Sequence, residues 1–534
     1  MLNLNYDNYK RKVLGCWMGK NIGGTLGAPM EWYRQFNNVN FYQQDLKGNP
    51  EPNDDLDLQL LWLISIEELG FPITAQRLSQ YWMWYLTPHW CEYGNAKINM
   101  RSGLLPPLSG SVNNIYKHSA GGWIRSEIWA CLSPGYPQQA ALLAREDAIV
   151  DHGDKSEGLY SMIFSATMES AAFIESDIRR LIQIGLSYIP ADCGTARAVK
   201  QVIHSQESGL SWKDARNKLL KEFRGSAWTN KRSRISDEDF EQGFATGQQG
   251  WDAPSNIGII IIGLLYGNNE FEKTICTAIN CGEDTDCTGA TIGSLYGIMH
   301  GIEIFPAKWT DPIGRRINTI TVDLGDLTSH MNESYNRATR LPEDIDELTE
   351  RTIKAAERTI YYYRIPIHIS RSGKPESTKV DIDIEKLRSP KDLDYLYRST
   401  KGPSFTFDTF DVMVEYVDGP FFAENRPTNV KLYVINKYKF QENLNISWYT
   451  HPNCKVLPSS SCKVHIPHAD LGNPEVELEF QLIVSDFYSP SVRSVVEITI
   501  DGKPTTLLVP ILLLKDQPRL QKSQVFINDK NEER

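Results

Sequence analysis

The stretch "CGEDTDCTGATIGSLYG", Cys281 to Gly297, places three acidic residues directly before an apolar segment that is typical of a buried helix. In that segment glycine recurs at every fourth position, at Gly289, Gly293 and Gly297. Because a helix has about 3.6 residues per turn, glycines at this spacing lie on one face and leave that face without side chains. Each glycine costs a helix about 1 kcal/mol relative to alanine. We therefore expect close backbone packing on this face to offset the loss.

A second stretch near the start of the chain has the same spacing. The sequence "GCWMGKNIGGTLG" places glycine at Gly15, Gly19, Gly23 and Gly27. Helix packing alone would explain either stripe. Two stripes also fit a pair of helices whose backbones meet and form a rigid floor beneath a functional site.

The first 365 residues have the pattern of a mainly α domain. Long apolar runs broken by glycine, proline or asparagine predict helices that are buried on most sides. Examples are "LQLLWLISIEEL", "LYSMIFSATMESAAFI" and "NIGIIIIGLLYG". Residues 366–400 are polar and include "SRSGKPESTK", which predicts a linker.

The pattern changes after residue 400. Short alternating or apolar runs, among them "FDVMVEYV", "NVKLYVIN" and "EVELEFQLIV", are separated by turn residues. This spacing predicts an accessory all-β sandwich domain over residues 401–515. Residues 516–534 form a predicted charged tail.

Length and charge limit the possible functions. A chain of 534 residues is expected to form two domains. The balance of 56 basic and 67 acidic residues gives a net charge of −11, which argues against a surface that binds along nucleic acid.

No apolar stretch reaches the about 18 residues of a membrane span, and the first residues lack the apolar core of a secretory signal. We therefore expect a cytoplasmic protein, or a secreted or periplasmic one if a signal peptide has been removed. Nine scattered cysteines favour free thiols.

Two acidic clusters stand at predicted helix starts. The first contains Asn53, Asp54 and Asp55, and the second contains Asp284 and Asp286. Capping accounts for either cluster alone, because Asn and Asp are favoured caps and acids complement the helix dipole. Both clusters together exceed what capping requires. If they meet in a buried pocket, their carboxylates need a positive partner.

A divalent cation is the partner that this chemistry predicts. Hard cations prefer carboxylate, hydroxyl, amide and water oxygens, so Mg²⁺ is expected first, with Mn²⁺ or Ca²⁺ as alternatives. One or two ions would fit, since pairs about 3.5–4 Å apart are common in hydrolytic sites. The predicted carboxylate ligands are Asp54, Asp55, Asp284 and Asp286.

Five segments in this order resemble the ADP-ribosylglycohydrolase family. They are "GCWMGKNIGGTLGAPME", which ends at Glu31, then "NDD", then "SAGGWIR", which ends at Arg125, then "REDAIVDHGD", with His152 and Asp154, and lastly "GEDTDCTGA". The resemblance covers about residues 10–310. Its order and spacing are more specific than any one motif.

The resemblance implies an orthogonal helix bundle and a hydrolase. Such an enzyme would cleave the N- or O-glycosidic bond at the anomeric carbon of an ADP-ribosyl group, in a small molecule or an ADP-ribosylated substrate, through an oxocarbenium-like state. The implied catalytic residues are Glu31, Asp55 and Asp284. The implied substrate-binding residues are Gly121, Gly122, Arg125, His152 and Asp154. The implied metal ligands extend the carboxylate set to Asn53 and Cys287.

Three departures from the family pattern keep other interpretations open. Asn53 and Cys287 stand where the family has hydroxyl ligands, and Gly24 stands where it has an acid. One alternative is a glycoside hydrolase on the same scaffold that acts on another sugar linkage, for example a furanoside, in a glycosylated substrate. Another is a non-catalytic ligand-binding descendant. At the residue level, Arg125 also fits a structural ion pair, and His152 also fits a buried core histidine.

Overall fold

In a computed structural model, the chain divides into two compact units, Met1–Ser399 and Thr400–Arg534. The structure describes residues 2–224, 241, 250–322, 341–372, 379–380, 389–390, 393–397, 402–470, 474–486 and 488–516. The predicted charged tail lies outside the described residues after residue 516. The first unit is mainly helical and the second is all-β, which confirms the predicted fold class.

The helices of the first unit follow the apolar runs of the sequence. The first eight are α1 (Tyr6–Gly27), α2 (Asp54–Leu69), α3 (Ala75–Tyr85), α4 (Cys91–Ser102), α5 (Leu108–Ser111), α6 (Glu127–Leu132), α7 (Pro137–Ala148) and α8 (Glu157–Ala172). The next nine are α9 (Ile178–Ser187), α10 (Gly194–Glu207), α11 (Trp212–Phe223), α12 (Ala253–Tyr266), α13 (Phe271–Ile279), α14 (Thr285–His300), α15 (Ala307–Thr310), α16 (Ile345–Tyr362) and α17 (Leu393–Tyr397). The three quoted runs form most of α2, α8 and α12, and each of these helices is buried along most of its length.

The two glycine-striped helices, α1 and α14, pack against each other along their whole shared length. A Cβ atom added at Gly19 would lie closer than 3.0 Å to the carbonyl oxygen of Gly293, and one added at Gly23 would do the same at Gly289. The pairing continues from Gly15 to Gly297, so the helices run antiparallel with their stripes in register. The close backbone approach predicted from the glycine spacing is therefore present.

A small sheet that the sequence patterns did not predict joins the start of the first unit to its end. Strand β1 (Leu2–Asn5) pairs in parallel with β2 (Ile367–Ser370) and antiparallel with β3 (Lys379–Val380). Strand β2 lies within the range predicted as a linker. Its four residues are too few to establish an alternating pattern. The buried side chains of Leu2, Leu4 and Ile367 form a separate apolar cluster.

The second unit contains ten described strands in two five-stranded sheets. One sheet has the order β10-β8-β12-β13-β6 and the other β4-β5-β7-β11-β9. The strands are β4 (Ser404–Thr406), β5 (Phe410–Tyr416), β6 (Phe421–Phe422), β7 (Pro427–Asn436), β8 (Glu442–Tyr449), β9 (Cys454–Leu457), β10 (Ser461–Ile466), β11 (Glu475–Val484), β12 (Ser491–Ile500) and β13 (Thr506–Lys515).

The two sheets share one apolar core. Burial alternates along β5 and β12, as expected for strands with one inward face. Trp448 of one sheet packs on Phe480 of the other, with ring centroids 5.0 Å apart. The Tyr416 hydroxyl accepts a hydrogen bond from the Leu512 amide at 3.1 Å, which also joins the sheets.

Two further expectations concern the whole chain. Within the part of the chain that the structure describes, no helix has both the length and the apolarity to cross a bilayer. All nine cysteines are free thiols, as their scattered positions predicted.

Candidate active site

The glycine interface brings three chain segments to one place. Gly27, at the end of α1, packs against the backbone of Thr285 at the start of α14. A short 3₁₀ turn, Ala28–Met30, then leads directly to Glu31. The start of α2 meets α1 at Gly24, where an added Cβ would collide with the side-chain amide of Asn53. Both acidic helix starts therefore lie beside Glu31.

At the two helix starts, the side chain of Asn53 caps its helix and that of Asp284 does not. Asn53 caps α2, because its Oδ1 accepts a hydrogen bond from the Asp55 amide at 3.0 Å. Asp284 occupies the N-cap position of α14 but makes no capping hydrogen bond with its side chain. The carboxylates of Asp54, Asp55 and Asp284 are thus available for other partners.

These carboxylates form two overlapping groups. Ligand atoms of Glu31, Asp284 and Asp286 lie within 4.8 Å of one another, and so do those of Asp55, Asp286 and Cys287. Asp55, Asp284 and Asp286 are buried, whereas Glu31 and Asp54 are half-buried. Asp54 also lies close to this group, because besides burial the charges of Asp55 and Asp286 raise its pKa. The structure therefore brings together five acids that the sequence places in three separate segments.

The acids raise one another's pKa values. Burial raises the pKa of Glu31 to about 10, with further contributions from Asp286 and Asp54. Burial and the neighbouring carboxylates also hold the pKa values of Asp54 and Asp284 well above their usual range. Mutual repulsion of this kind is relieved by a bound cation, which favours the ionised forms.

One buried oxygen supports the fit of a cation to this donor set. Among the described residues, Asp286 Oδ1 has no hydrogen-bond partner although it is buried. Buried carboxylate oxygens are normally paired or ligate a metal. Oxygen donors from Glu31, Asp54, Asp284 and Asp286 are those that Mg²⁺, Mn²⁺ or Ca²⁺ prefers. The residues present therefore fit a hard divalent cation.

Asp55 differs from the other four acids because a buried lysine lies beside it. The Lys20 ammonium lies 3.4 Å from Asp55 Oδ2, which is an ion pair without a hydrogen bond. Lys20 is fully buried on α1 and also donates to Glu127 Oε1 at 2.8 Å. The other oxygen, Asp55 Oδ1, accepts a hydrogen bond from the Cys287 thiol at 3.1 Å.

The third acid of the quoted stretch, Glu283, points away from the cluster. Arg224 and Arg34 bind its carboxylate, the latter at 3.7 Å. Burial acts to raise the pKa of Glu283, but these guanidinium groups hold it below its usual value. Glu283 and Trp32 both have a positive φ, and the Trp32 amide donates to the Glu283 carbonyl at 3.1 Å. This pair of strained residues fixes Glu31 beside Asp284.

A cavity of about 390 Å³ opens above the acids. Trp32, Trp90 and Trp251 are all partly exposed at this cavity, and the rings of Trp32 and Trp251 meet edge to face at 5.8 Å. The lining residues are Glu31, Trp32, Asp54, Trp90, Cys91, Glu92, Tyr93, Ser119, Ala120, Gly121, Ile124, Trp251, Asp284 and Cys287. The site thus combines an acidic floor with aromatic walls.

Glu92 is a further buried acid in the cavity wall. Its Oε1 accepts a hydrogen bond from the Gly121 amide at 3.0 Å. Burial, followed by the charge of Asp151, raises the pKa of Glu92 to about 7. Of the predicted loop glycines, Gly121 lies in the cavity wall and Gly122 lies behind it, against the ring of His152.

Three of the implied substrate-binding residues are not among the residues that line the cavity. Arg125 is fully buried, and its guanidinium donates to Asp151 at 2.7 and 3.1 Å and to Asp147 at 3.1 Å. His152 is also fully buried, with Nδ1 3.0 Å from the Lys117 carbonyl. Asp154 lies in the same loop as His152 and is not among the described residues that line the cavity. This arrangement favours the structural alternatives for Arg125 and His152, and their substrate-binding roles stay predictions.

Sequence reasoning missed four residues of the site. Trp32, Trp90 and Glu92 come from loops and helix ends that the chain brings together only on folding, and no local motif marks them. Lys20 carried a usable signal, since a lysine inside an otherwise apolar, glycine-rich helix needs a buried acid as its partner.

Comparison with known proteins identifies the family of the chain. The family model described as ADP-ribosylglycohydrolase matches residues 5–343, which is well over half of the chain. The chain belongs to the ADP-ribosylglycohydrolase family. This confirms the resemblance drawn from the motifs, and it makes the chain a member of a family whose proteins are generally glycosyl hydrolases.

Other comparisons add little. No curated protein matches the chain. The crystal structure of a FixG-related protein from Vibrio parahaemolyticus is similar over 21% of this chain and 100% of its own, at 14% identity. Its TM-score of 0.18 is too low to support an inference.

Proposed function

We propose that this ADP-ribosylglycohydrolase family member is a cation-dependent hydrolase that cleaves the glycosidic bond at the anomeric carbon of an ADP-ribosyl group. The observation that carries the proposal is the acidic floor, in which Glu31, Asp54, Asp55, Asp284 and Asp286 converge beneath an open cavity. Two of these acids, Glu31 and Asp54, are half-buried and line the cavity.

The proposed cation ligands are the carboxylates of Asp54, Asp284 and Asp286, with Glu31 nearby. Bound there, a divalent cation would supply positive charge that neutralises the acids and polarises an oxygen of the sugar or of water. Asn53 Oδ1 accepts the capping hydrogen bond from the Asp55 amide. We therefore propose that Asn53 is a positioning residue, which holds the backbone at Asp55 in place.

Glu31 is the proposed general acid or base. It lines the cavity beside Asp284, and burial gives its side chain a strong tendency to hold a proton. A carboxyl that can take or release a proton at the scissile bond is the common requirement of glycoside hydrolysis. The tryptophan walls would bind the planar or apolar face of the substrate and exclude water from the reacting carbon.

A second candidate function is hydrolysis of a glycoside of an uncharged sugar. The cavity lining that the structure describes includes three tryptophans and four acids but no lysine or arginine. Stacking tryptophans and hydroxyl-binding carboxylates suit a neutral sugar, whereas a pyrophosphate is normally bound by cationic groups.

Turnover of two substrate classes tests the proposal. The purified protein would be assayed for release of ADP-ribose from ADP-ribosylated arginine and serine peptides, and for hydrolysis of a panel of nitrophenyl glycosides. Each assay would be run with excess chelator and after restoring Mg²⁺ or Mn²⁺. We expect cation-dependent release of ADP-ribose. Cation-dependent hydrolysis of a nitrophenyl glycoside alone would favour the second function, and no cation-dependent turnover would contradict both.

A variant pair tests the assigned residues. Asp284→Asn should lower kcat at least about 100-fold, because it removes a charge that we place against the reacting group. Asp45→Asn changes an exposed acid of the same type, whose side chain is 79% exposed, and should leave kcat unchanged. Equal activity of the two variants would contradict the role of Asp284.

A further inference from the structure

The two overlapping ligand groups at the acidic floor differ in their protein surroundings. Four carboxylates, those of Glu31, Asp54, Asp284 and Asp286, have no lysine or arginine within ion-pair distance among the described residues. The fifth, Asp55, faces the buried ammonium of Lys20 at 3.4 Å. One side of the floor therefore has its own positive charge and the other does not.

We propose that Lys20 takes the place of a second metal ion beside Asp55, so that the active site binds a single divalent cation, on the Glu31–Asp284–Asp286 side. This inference rests on the proposed function, because it concerns the cation that the function requires. It assigns Lys20 as a positioning residue that sets the number of cations.

The contacts of Asp55 carry the first part of the argument. Its Oδ2 faces Lys20 and its Oδ1 accepts the Cys287 thiol, so both carboxylate oxygens already have a partner. A second cation at the Asp55–Asp286–Cys287 group would have to replace both contacts. It would also lie next to an ammonium ion in a buried site, where like charges repel strongly.

Lys20 is itself held in place by two hydrogen-bond acceptors, in addition to its ion pair with Asp55. Its Nζ donates to the Ile124 carbonyl at 2.6 Å and to Glu127 Oε1 at 2.8 Å. The second oxygen of Glu127 accepts from Gln59 Nε2 at 2.8 Å, and Gln59 lies one turn after Asp55 on α2. The ammonium therefore cannot swing away to admit an ion without breaking this buried network.

The donor atom at Cys287 supports the same conclusion. Hard divalent cations prefer oxygen, and a cysteine sulfur is a poor ligand for Mg²⁺ or Ca²⁺. Of the two groups, only Glu31–Asp284–Asp286 consists entirely of oxygen donors. One of its members, Asp286, is 7% exposed and leaves Oδ1 without a hydrogen-bond partner among the described residues.

Counting bound Mn²⁺ tests the inference without reference to turnover. The full-length protein, stripped of metal, would be titrated with Mn²⁺ by calorimetry and by native mass spectrometry, and the bound ion would be observed by electron paramagnetic resonance. We expect one Mn²⁺ per chain with the spectrum of an isolated ion. Two ions with an exchange-coupled spectrum would overturn the inference but leave the proposed function intact. No bound ion would overturn both.

Substitution of Lys20 provides the decisive variant. Lys20→Met removes the ammonium and frees Asp55, so a second Mn²⁺ should bind, with an affinity at least about 100-fold higher than any second binding to the unmodified protein. A count that stays at one in a folded Lys20→Met protein would overturn the role of Lys20. If that variant does not fold, the Lys20→Arg protein is measured instead. Arginine retains the positive charge beside Asp55, so this protein should still bind one Mn²⁺ per chain. Two bound Mn²⁺ would contradict the inference.

Lys12→Met is the matched control. Lys12 lies on the same helix, but its Nζ donates to the Phe173 carbonyl at 2.9 Å and contacts no acid of the site. Its replacement should leave the count at one Mn²⁺ per chain. A second ion in this control would show that lowering the charge of α1 is sufficient, and it would overturn the specific role of Lys20.

Discussion

Asp57 and Asp54 stand in the same helical turn, but they face different surroundings. Asp57 Oδ2 accepts hydrogen bonds from the Ile320 amide at 2.8 Å, the Thr321 amide at 2.6 Å and the Thr321 hydroxyl at 2.9 Å. Asp54 instead lines the cavity. The carboxylate of Asp57 therefore anchors the loop at residues 320–322, while Asp54 is a lining residue of the cavity.

This difference predicts opposite effects for two identical substitutions. Asp57→Asn replaces a charged acceptor of three hydrogen bonds and should lower the free energy of unfolding by about 1–3 kcal/mol, with Mn²⁺ affinity unchanged. Asp54→Asn should weaken Mn²⁺ binding at least about 10-fold and, without metal, should not destabilise the protein, because it removes a repelling charge. Chemical denaturation and calorimetric titration of both variants check the prediction. Loss of Mn²⁺ binding in Asp57→Asn would contradict it.

The raised pKa of Glu92 predicts that the stability of the protein depends on pH. Its pKa in the folded protein is about 7, above the usual 4.5, because burial and then Asp151 disfavour the charge. The stability that its proton contributes is fully present below about pH 4.5 and is lost as the pH rises through about 7. Glu92→Gln, which stays neutral, should gain up to about 3 kcal/mol relative to the unmodified protein at pH 8 and nothing at pH 4.5. Urea denaturation followed by the helical circular dichroism signal measures this difference, and an equal gain at both values would contradict the assignment.

Single residues show where sequence reasoning succeeds and where it ends. The sequence pointed to Asp54, Asp55, Asp284 and Asp286 because two clusters exceeded the needs of capping, and the structure places these four side chains near one another. The role of Asp57 could not be predicted from the sequence, since hydrogen bonds from a loop more than 260 residues away decide it. The contact between Gly24 and Asn53 could not be predicted either. Both residues depart from the family pattern, and in the fold the Asn53 side chain occupies the space that a side chain at position 24 would need.

At the level of elements, the contact of α1 with α14 positions the site. Its glycines allow the two backbones to meet, and the ends of both helices then deliver Glu31, Asp284 and Asp286 to one point. This contact could be predicted from a period of four in two distant segments. The pairing of β1 with β2 could not, because strands of four residues carry no measurable period and their partner lies at the far end of the unit.

Gly19→Ala tests the helix contact. Alanine raises intrinsic helix propensity by about 1 kcal/mol, so an isolated helix would become more stable. In this protein the new Cβ would lie closer than 3.0 Å to the Gly293 carbonyl oxygen, which forces the helices apart. We expect a net loss of at least about 2 kcal/mol of unfolding free energy, together with weaker Mn²⁺ binding. Thermal denaturation and cation titration measure the two effects.

Gly48→Ala is the control for that experiment. A Cβ atom added at Gly48 would have no other heavy atom of the described residues within 4 Å. Its φ of +79° means that alanine adds only backbone strain, of about 1–2 kcal/mol. Mn²⁺ binding should be unchanged. If Gly19→Ala behaves like this control in both measurements, the glycine contact does not position the site.

At the level of the whole molecule, the proposed cation site belongs to one of two compact units. All five acids of the floor lie within Met1–Ser399, and the strands β4 to β13 lie within Thr400–Arg534. A ligand that binds only the folded state stabilises the structure that contains its site, by about 2.7 kcal/mol at a concentration 100 times its Kd. The effect of a cation should therefore be confined to the helical unit.

Hydrogen exchange read by mass spectrometry resolves that effect along the chain. Saturating Mn²⁺ should slow amide exchange in peptides from α2 and α14, because their first turns hold acids that repel one another without a cation. Peptides from β7 and β11, which pair over most of their length inside the second unit, should exchange at the same rate with and without Mn²⁺. Asp284→Asn should abolish the protection of both helices. Uniform protection of helices and strands would place the cation elsewhere and would contradict the acidic floor as its binding site.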